Sequence, residues 1–428
     1  MATIYIDPSV KTSGNGSQSR PYKSWSQVKV VKAGDTFLQR AGTSTSATIN
    51  VAVQGTASAP IRIGSYGTGA APIINGLINL NGAAYVTVAG MNVRNSAYAA
   101  IMMQGGAHHN TISGNTLAQS QMGVWIGNGA GADNLVERNT VLDNAVIGIG
   151  VDKITNAAGH ATRILGNTIS RSGSHGIELT GNNFVVDGNT VSNSGLTTTG
   201  SSGIHVFGGF DGAPNGFGVG NTITNNVSYD NRDATGPDGN GIQLDQYTNA
   251  NTVSGNFATG NDGAGIMLYD SHDNTVANNV TDRNGLGLVG THPIRGDFVL
   301  AGGLDLTRAN FITGNIALST SVPAVLVDGL IVDNANRFSG NIWQNTTGGA
   351  DTMLGLDTSW STWLAYDLLG GTGLVPDRET GVPVLLAPYS GTLSYSFASG
   401  ITQVIDGTNY ILVGWTGSQL VVGMEAVA

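Results

Sequence analysis

The chain has 428 residues, of which 64 are Gly and only 11% are charged, and it contains no Cys, so a disulfide scaffold, a thiolate metal site and a cysteine nucleophile are all excluded. The net charge is −10 and Lys and Arg form no cluster, which speaks against nucleic acid or an anionic membrane as a partner. No stretch approaches the ~18 consecutive apolar residues of a membrane span, so a soluble protein is expected.

The opening MATIYIDPSV lacks a basic region followed by an apolar one, so a signal peptide is expected to be absent or replaced by a start Met. Residues 1–60 read as an N-terminal cap. From Ile73 to Asn345 a unit of roughly 23 to 28 residues then recurs. Its strand is a Gly or Ala, an apolar residue, a variable one and another apolar one: AIMMQ, GVWIG, GIGVD, GIELT, GIHVF, GIQLD, GIMLY and AVLVD. Polar segments such as NTISGNTLAQS, NTITNNVSYDN and NTVANNVTDRN lie between. Apolar residues alternate at period two in short runs, Gly and Asn mark the corners, and no 3.6-residue period stands out. Such coils, with inward Val, Ile and Leu and with Asn at tight bends, predict an all-β fold, a right-handed parallel β-helix over 61–349. Asn suits the bends because it tolerates the left-handed conformation and builds side-chain ladders. Ile149, Ile177, Ile204, Ile242 and Ile266 should stack in one internal ladder.

Two stretches, 208–237 and 287–323, lengthen the coils and read as insertions that wall a groove. The tail, 350–428, opens with DTSWSTWLAYDLL, the best candidate helix, and continues through strand-like segments such as NYILVGW. It is expected to be a small mixed region that caps the solenoid or mediates homo-oligomerisation.

These features resemble the pectate-lyase-like superfamily of β-helix proteins acting on polysaccharides. The N-terminal YIDPSVKTSGNGSQSRPYKSW and VKAGDTFLQRAGT are similar to the leading segments of such enzymes, and coils such as GIMLYDSHDNTVANNVTDRN resemble those of bacterial alginate lyases and mannuronan C-5 epimerases. The resemblance implies a polysaccharide or oligosaccharide substrate and a secreted or extracellular protein. The superfamily holds lyases, hydrolases, epimerases and tailspikes, so it leaves the activity open.

Stacking the coils turns sequence into a surface. In G-I-x-L-x the second and fourth residues face inward and the third and fifth outward. The third-position column reads Met102, Trp125, Gly150, Glu178, His205, Gln243, Met267 and Leu326, and the fifth reads Gln104, Gly127, Asp152, Thr180, Phe207, Asp245, Tyr269 and Asp328. Carboxylates and imidazole handle protons while aromatic faces stack on sugar rings. The catalytic candidates are therefore Asp152, Glu178, His205 and Asp245. Substrate-binding candidates are Trp125, Phe207, Gln243, Tyr247, Tyr269, Asp270, His272 and Arg295, of which Asp270 and His272 come from an Asp-x-His pair that resembles the epimerase motif. Coil and residue spacings put Asp152 and Glu178 roughly 8 Å apart, within the ~6.5 to 9.5 Å of inverting glycosidases.

A glycoside hydrolase with Glu178 and Asp152 as acid and base is the leading expectation, because no cation occupies the two columns and a uronate lyase or epimerase would need one beside a base such as His205 or Tyr269. Lys153, adjacent to Asp152, should face the opposite side of its strand. A non-catalytic glycan-binding tailspike or adhesin is the third reading, and a solvated polar face would explain the same columns without chemistry. No cofactor or metal is required. Ca2+ would be held by Asp230, Asp233 and Asp238, a stretch that reads equally as a solvated turn.

Overall fold

A computed structural model describes residues 1–354 apart from 128, 211, 234–235, 237, 288–294, 305 and 332–334, together with Trp363, Asp377 and five short strands of the tail. Three parallel sheets of 13, 13 and 12 strands form the faces of a right-handed β-helix. One coil shows the plan. Thr111–Ser113 lies on the first face, Thr116–Ala118 on the second and Met122–Ile126 on the third, and each pairs in register with its counterpart one coil on: Leu135–Glu137, Thr140–Leu142 and Ile147–Thr155.

The inward residues form one continuous core. Ile149, Ile177, Ile204, Ile242 and Ile266 are directly paired and fully buried, and the ladder continues into Phe298 and Val325. Each such side chain contributes about 1.5–3 kcal/mol of apolar burial.

The corners divide their work between two neighbouring residues. The left-handed position is taken by Gly114 (φ 62°), Arg138 (φ 50°), Asn225 (φ 59°) and Asn278 (φ 55°), and the residue after it is a buried Asn outside that conformation. The buried Asn115, Asn139, Asn167, Asn189, Asn226, Asn256, Asn279, Asn315 and Asn341 form an amide ladder, in which each side-chain oxygen from Asn139 on accepts from the backbone and side-chain N–H of the Asn one coil before. The sequence assigns both tasks to one Asn. They separate because a residue in the left-handed bend cannot also aim its amide along the axis.

Each end buries aromatic side chains. Ile6 and Trp25 are buried at the first, where Trp25 Nε1 donates to Gln39 Oε1 at 2.7 Å. At the other, Asp377 receives Asn341 N and Nδ2 and Trp343 Nε1, and Trp363 is buried against Phe338 and Trp343. Apart from Trp363, the candidate helix DTSWSTWLAYDLL lies outside the described residues.

Three boundaries differ from expectation. A full coil, Thr36–Arg40, Ser44–Ser46 and Ile49–Asn50, precedes residue 61. The stretch 287–323 contains the regular third-face strand Phe298–Ala301, which the pattern conceals because Asp297 stands at the corner where other coils carry Gly. The stretch 208–237 is two excursions, a hairpin pairing Gly209–Phe210 with Ala213–Pro214 at one edge of the third face and a loop after Tyr229 at the other, separated by the regular strands Thr222–Thr224 and Val227–Tyr229.

Candidate active site

The site is assembled by strand alternation on the third face. Glu178 lies between the buried Ile177 and Leu179, His205 between Ile204 and Val206, and Gln243 between Ile242 and Leu244, so all three face outward. Their register is direct: Gly150 to Glu178 to His205 to Gln243. Asp152 pairs with Thr180, which puts it one strand over and two residues along from Glu178, the relation that gives the ~8 Å separation.

His205 is the centre of the arrangement. Its Nε2 lies 3.0 Å from Asp245 Oδ2, and its ring stacks on His175 with centroids 4.2 Å apart and planes within 3°. Phe207 stacks on its other contact at 5.7 Å and in turn meets Phe210, at the tip of the hairpin, edge to face at 4.9 Å. Nδ1 of His205 is buried and has no hydrogen-bond partner among the described residues.

Four groups are perturbed. Burial raises the Glu178 carboxyl above its ordinary range and the Asp152 charge adds to this, while His205 opposes it. Burial disfavours a charged His205, but the bond to Asp245 and the charges of Asp245, Glu178 and Asp238 outweigh it and raise the imidazole. His175 is held far below its usual value by burial and by neighbouring His205. Asp238 is pushed up to about 6, by burial first and by Asp245 second. The site thus combines a carboxyl raised by burial, an imidazole raised by its carboxylate partner and a second imidazole, stacked on it, that is held neutral.

Donor atoms of His175, Glu178 and His205 lie within 4.8 Å of one another, a spacing that would admit a metal ion. The ring geometry fits one poorly. Lone pairs in two parallel planes do not meet at a point ~2.0 Å from both nitrogens. His175 Nδ1 also accepts from Ser202 N at 3.1 Å, which leaves the proton of the neutral ring on Nε2. Of the carboxylates considered for Ca2+, Asp230 pairs with Arg232, Asp233 accepts from the backbone of Gly200, Gly236 and Asp238, and Asp238 accepts from Asn240.

The other sequence candidates divide by place. Trp125 lies flat on the third face: a Cβ at Gly150 would sit 2.8 Å from its ring and one at Gly127 2.6 Å from its Nε1, so the indole occupies the space that these two glycines vacate. A bulge at Asp152 carries Lys153 (φ 56°) to the outside beside it, and Ile154 resumes the core; the expected opposite orientation of Asp152 and Lys153 does not occur. Gln243 is buried, with Oε1 receiving Ser202 Oγ at 2.7 Å and Asn240 Nδ2 at 3.1 Å, and so braces the site from the next coil. Tyr269 packs with Met267, Val299 and Leu326, its hydroxyl against Gly303. Asp270 is fully buried and accepts from Gly303, Leu304 and Leu306 N–H groups, a loop anchor rather than a sugar ligand. Tyr247 (φ 64°) and His272 stand at corners off the third face, His272 bonded to Asp273. Arg295 lines a cleft with Asp233, Asp238 and Asp262 beside Met267.

Ser202 and Asn240 escape the sequence reading, which places His175 only as a flank of the groove and Asp238 only as a Ca2+ ligand. The signal lies just ahead of the repeated Gly: His175, Ser202, Asn240 and Ala264 each precede it, and their hydrogen bonds run along that column, from Ser202 N to His175 Nδ1, Asn240 Nδ2 to Ser202 Oγ and Ala264 N to Asn240 Oδ1. Asp238 and Asp262 stand two residues earlier still.

The family described as "Right handed beta helix region" matches residues 76–229 and 154–350. No curated protein matches the sequence. Among solved structures, a mannuronic acid specific polysaccharide family 6 lyase from human gut microbiota has 11% identity and a TM-score of 0.50, over 88% of this chain and 96% of that one. A PL6 family alginate lyase has 14% identity and a TM-score of 0.50, over 83% and 49%. A GH136 lacto-N-biosidase from Eubacterium ramulus has 14% identity and a TM-score of 0.49, over 83% and 68%. At these identities the likeness is one of fold.

Proposed function

The chain belongs to the right-handed β-helix family, and from that premise we propose that it is a carbohydrate-active enzyme, secreted or extracellular, that hydrolyses glycosidic bonds of a polysaccharide or oligosaccharide. The observation that carries this reading is the diagonal pair Glu178 and Asp152, joined to the burial that raises the Glu178 carboxyl. Protonated Glu178 donates to the glycosidic oxygen, and Asp152 takes a proton from the attacking water on the other side of the ring. His205, whose imidazole Asp245 holds above its ordinary value, pairs with Glu178 one coil away and favours the Glu178 anion as it forms. Trp125 and Phe207 supply apolar faces for the sugar rings.

A uronate lyase or epimerase is the second reading, and one observation favours it: the bulge brings Lys153 to the outer face beside Asp152, so this coil offers a positive charge that the two columns lack. The test is a panel of polygalacturonate, alginate, xylan and β-glucan, followed by reducing-sugar release and by ultraviolet absorbance. Hydrolysis gives reducing ends without absorbance. Elimination gives both, because it leaves an unsaturated uronate. No product from any polymer would remove the enzymatic reading.

A further inference from the structure

The outer face changes character along the solenoid. In the third-position column Met102, Trp125 and Glu178 are partly exposed, whereas His205, Gln243, Met267, Val299 and Leu326 are 6%, 3%, 8%, 1% and 3% exposed. These five point away from the core, so such burial means that other groups lie over them. Part of that cover is Gly296, where a Cβ would come within 3.0 Å of Leu326 Cβ and 3.1 Å of Val299 Cγ2. The fifth-position column stays open longer. Asp152, Phe207, Asp245 and Tyr269 are partly exposed, with the buried Thr180 among them, and the column is interrupted at the fully buried Ala301 before Asp328 is partly exposed again. There Gly302, Gly303 and Leu304 cross the face, with Gly303 against the Tyr269 hydroxyl. Buried Asp270 pins it, accepting from Gly303 N at 3.1 Å, Leu304 N at 3.0 Å and Leu306 N at 3.4 Å. Upstream the face ends in the flat polar pair Asn79 and Asn50, bonded to each other at an exposed position.

On the hydrolase reading above, we propose that the enzyme works from the end of its substrate chain, because the groove is open toward Trp125 and Met102 and blind at the coil of Phe298–Ala301. A polysaccharide lying along the axis passes Glu178 and then meets the wall held by Asp270. Between Glu178 and that wall the partly exposed side chains are Phe207, Asp245 and Tyr269, on three coils each ~4.8 Å from the next, which is room for a short and fixed number of sugar units. The released product therefore has one length, and interior bonds of a long chain do not reach the acid.

The test uses the full chain on polygalacturonate, alginate, xylan and β-glucan, with product length read by chromatography and polymer length by viscosity. One short product from the first time point, with viscosity falling slowly as bonds are cut, is the expected result. An early collapse of viscosity with a spread of intermediate lengths would overturn chain-end action while leaving the hydrolase reading intact. Failure to cut any of the four polymers would remove both. Asp270→Ala, shown to be folded by circular dichroism, should add longer products as the wall loosens, and an unchanged product length in that variant would mean that the wall does not set it.

Discussion

Asn256→Ala should be among the most damaging single substitutions in the solenoid, although Asn256 touches no part of the site. Its side chain is fully buried, donates to Ile223 O and to Asn279 Oδ1 at 2.9 Å each, and accepts from Asn226 N at 2.9 Å and Asn226 Nδ2 at 3.0 Å. Alanine strands two buried donors on Asn226 and leaves acceptors on Ile223 and Asn279 short of a partner. At ~1–3 kcal/mol for each orphaned donor the loss is ~2–6 kcal/mol. Asn75→Ala is the control: its Nδ2 reaches Ser44 Oγ at 3.0 Å at an exposed position, where water replaces the bond, so the change should stay within ~0.5 kcal/mol. Urea unfolding followed by far-ultraviolet circular dichroism compares the two, and because each coil contacts mainly its neighbours, a lesion in the middle should shift the midpoint or split the transition. Equal midpoints for the two variants would refute the claim that the amide ladder holds the coils together.

Asp238, with its carboxyl raised from 3.8 to about 6, binds a proton more tightly folded than unfolded, so stability should fall as pH climbs through that window, and Asp238→Asn should flatten the fall in pH-dependent denaturation curves. His205 has the same sign for a base: its raised pKa gives stability that is present below 6.5 and lost as pH rises through the folded value, and Asp245→Asn should move its imidazole resonances to titrate lower by NMR. Trp125→Ala should weaken oligosaccharide binding about 10-fold or more, the scale of ~1.4 kcal/mol of lost stacking, with calorimetry as the readout; unaltered affinity would place the sugar elsewhere.

The solenoid is legible in the sequence because its signal is redundant: Ile149, Ile177, Ile204, Ile242 and Ile266 repeat in one frame, and the register follows from that frame. The columns of outward residues follow from the same alternation, which is how Glu178, His205 and Asp152 come together on the page before they do in space. What the repeat cannot convey is where it is interrupted. The strand Phe298–Ala301 is masked by Asp297 at its corner, and the bulge at Asp152 is invisible because a left-handed Lys153 has no sequence mark. Asp270 and His272 mislead for the opposite reason: an acidic and a basic residue two apart look like chemistry, yet one anchors a loop and the other sits at a corner. His175 and Asn240 act through a column that carries no apolar pattern, so only the bonds between coils bring them out.

The most direct test of the account is the turnover of Glu178→Gln on the polysaccharide that the wild-type chain cleaves, measured as reducing ends released at saturating substrate. The amide keeps the shape and the outward position of the side chain but has no proton to give, so the rate should fall by about 10²-fold or more while folding and binding persist. Wild-type turnover in a folded Glu178→Gln protein would contradict the central claim and move the chemistry away from this face of the helix.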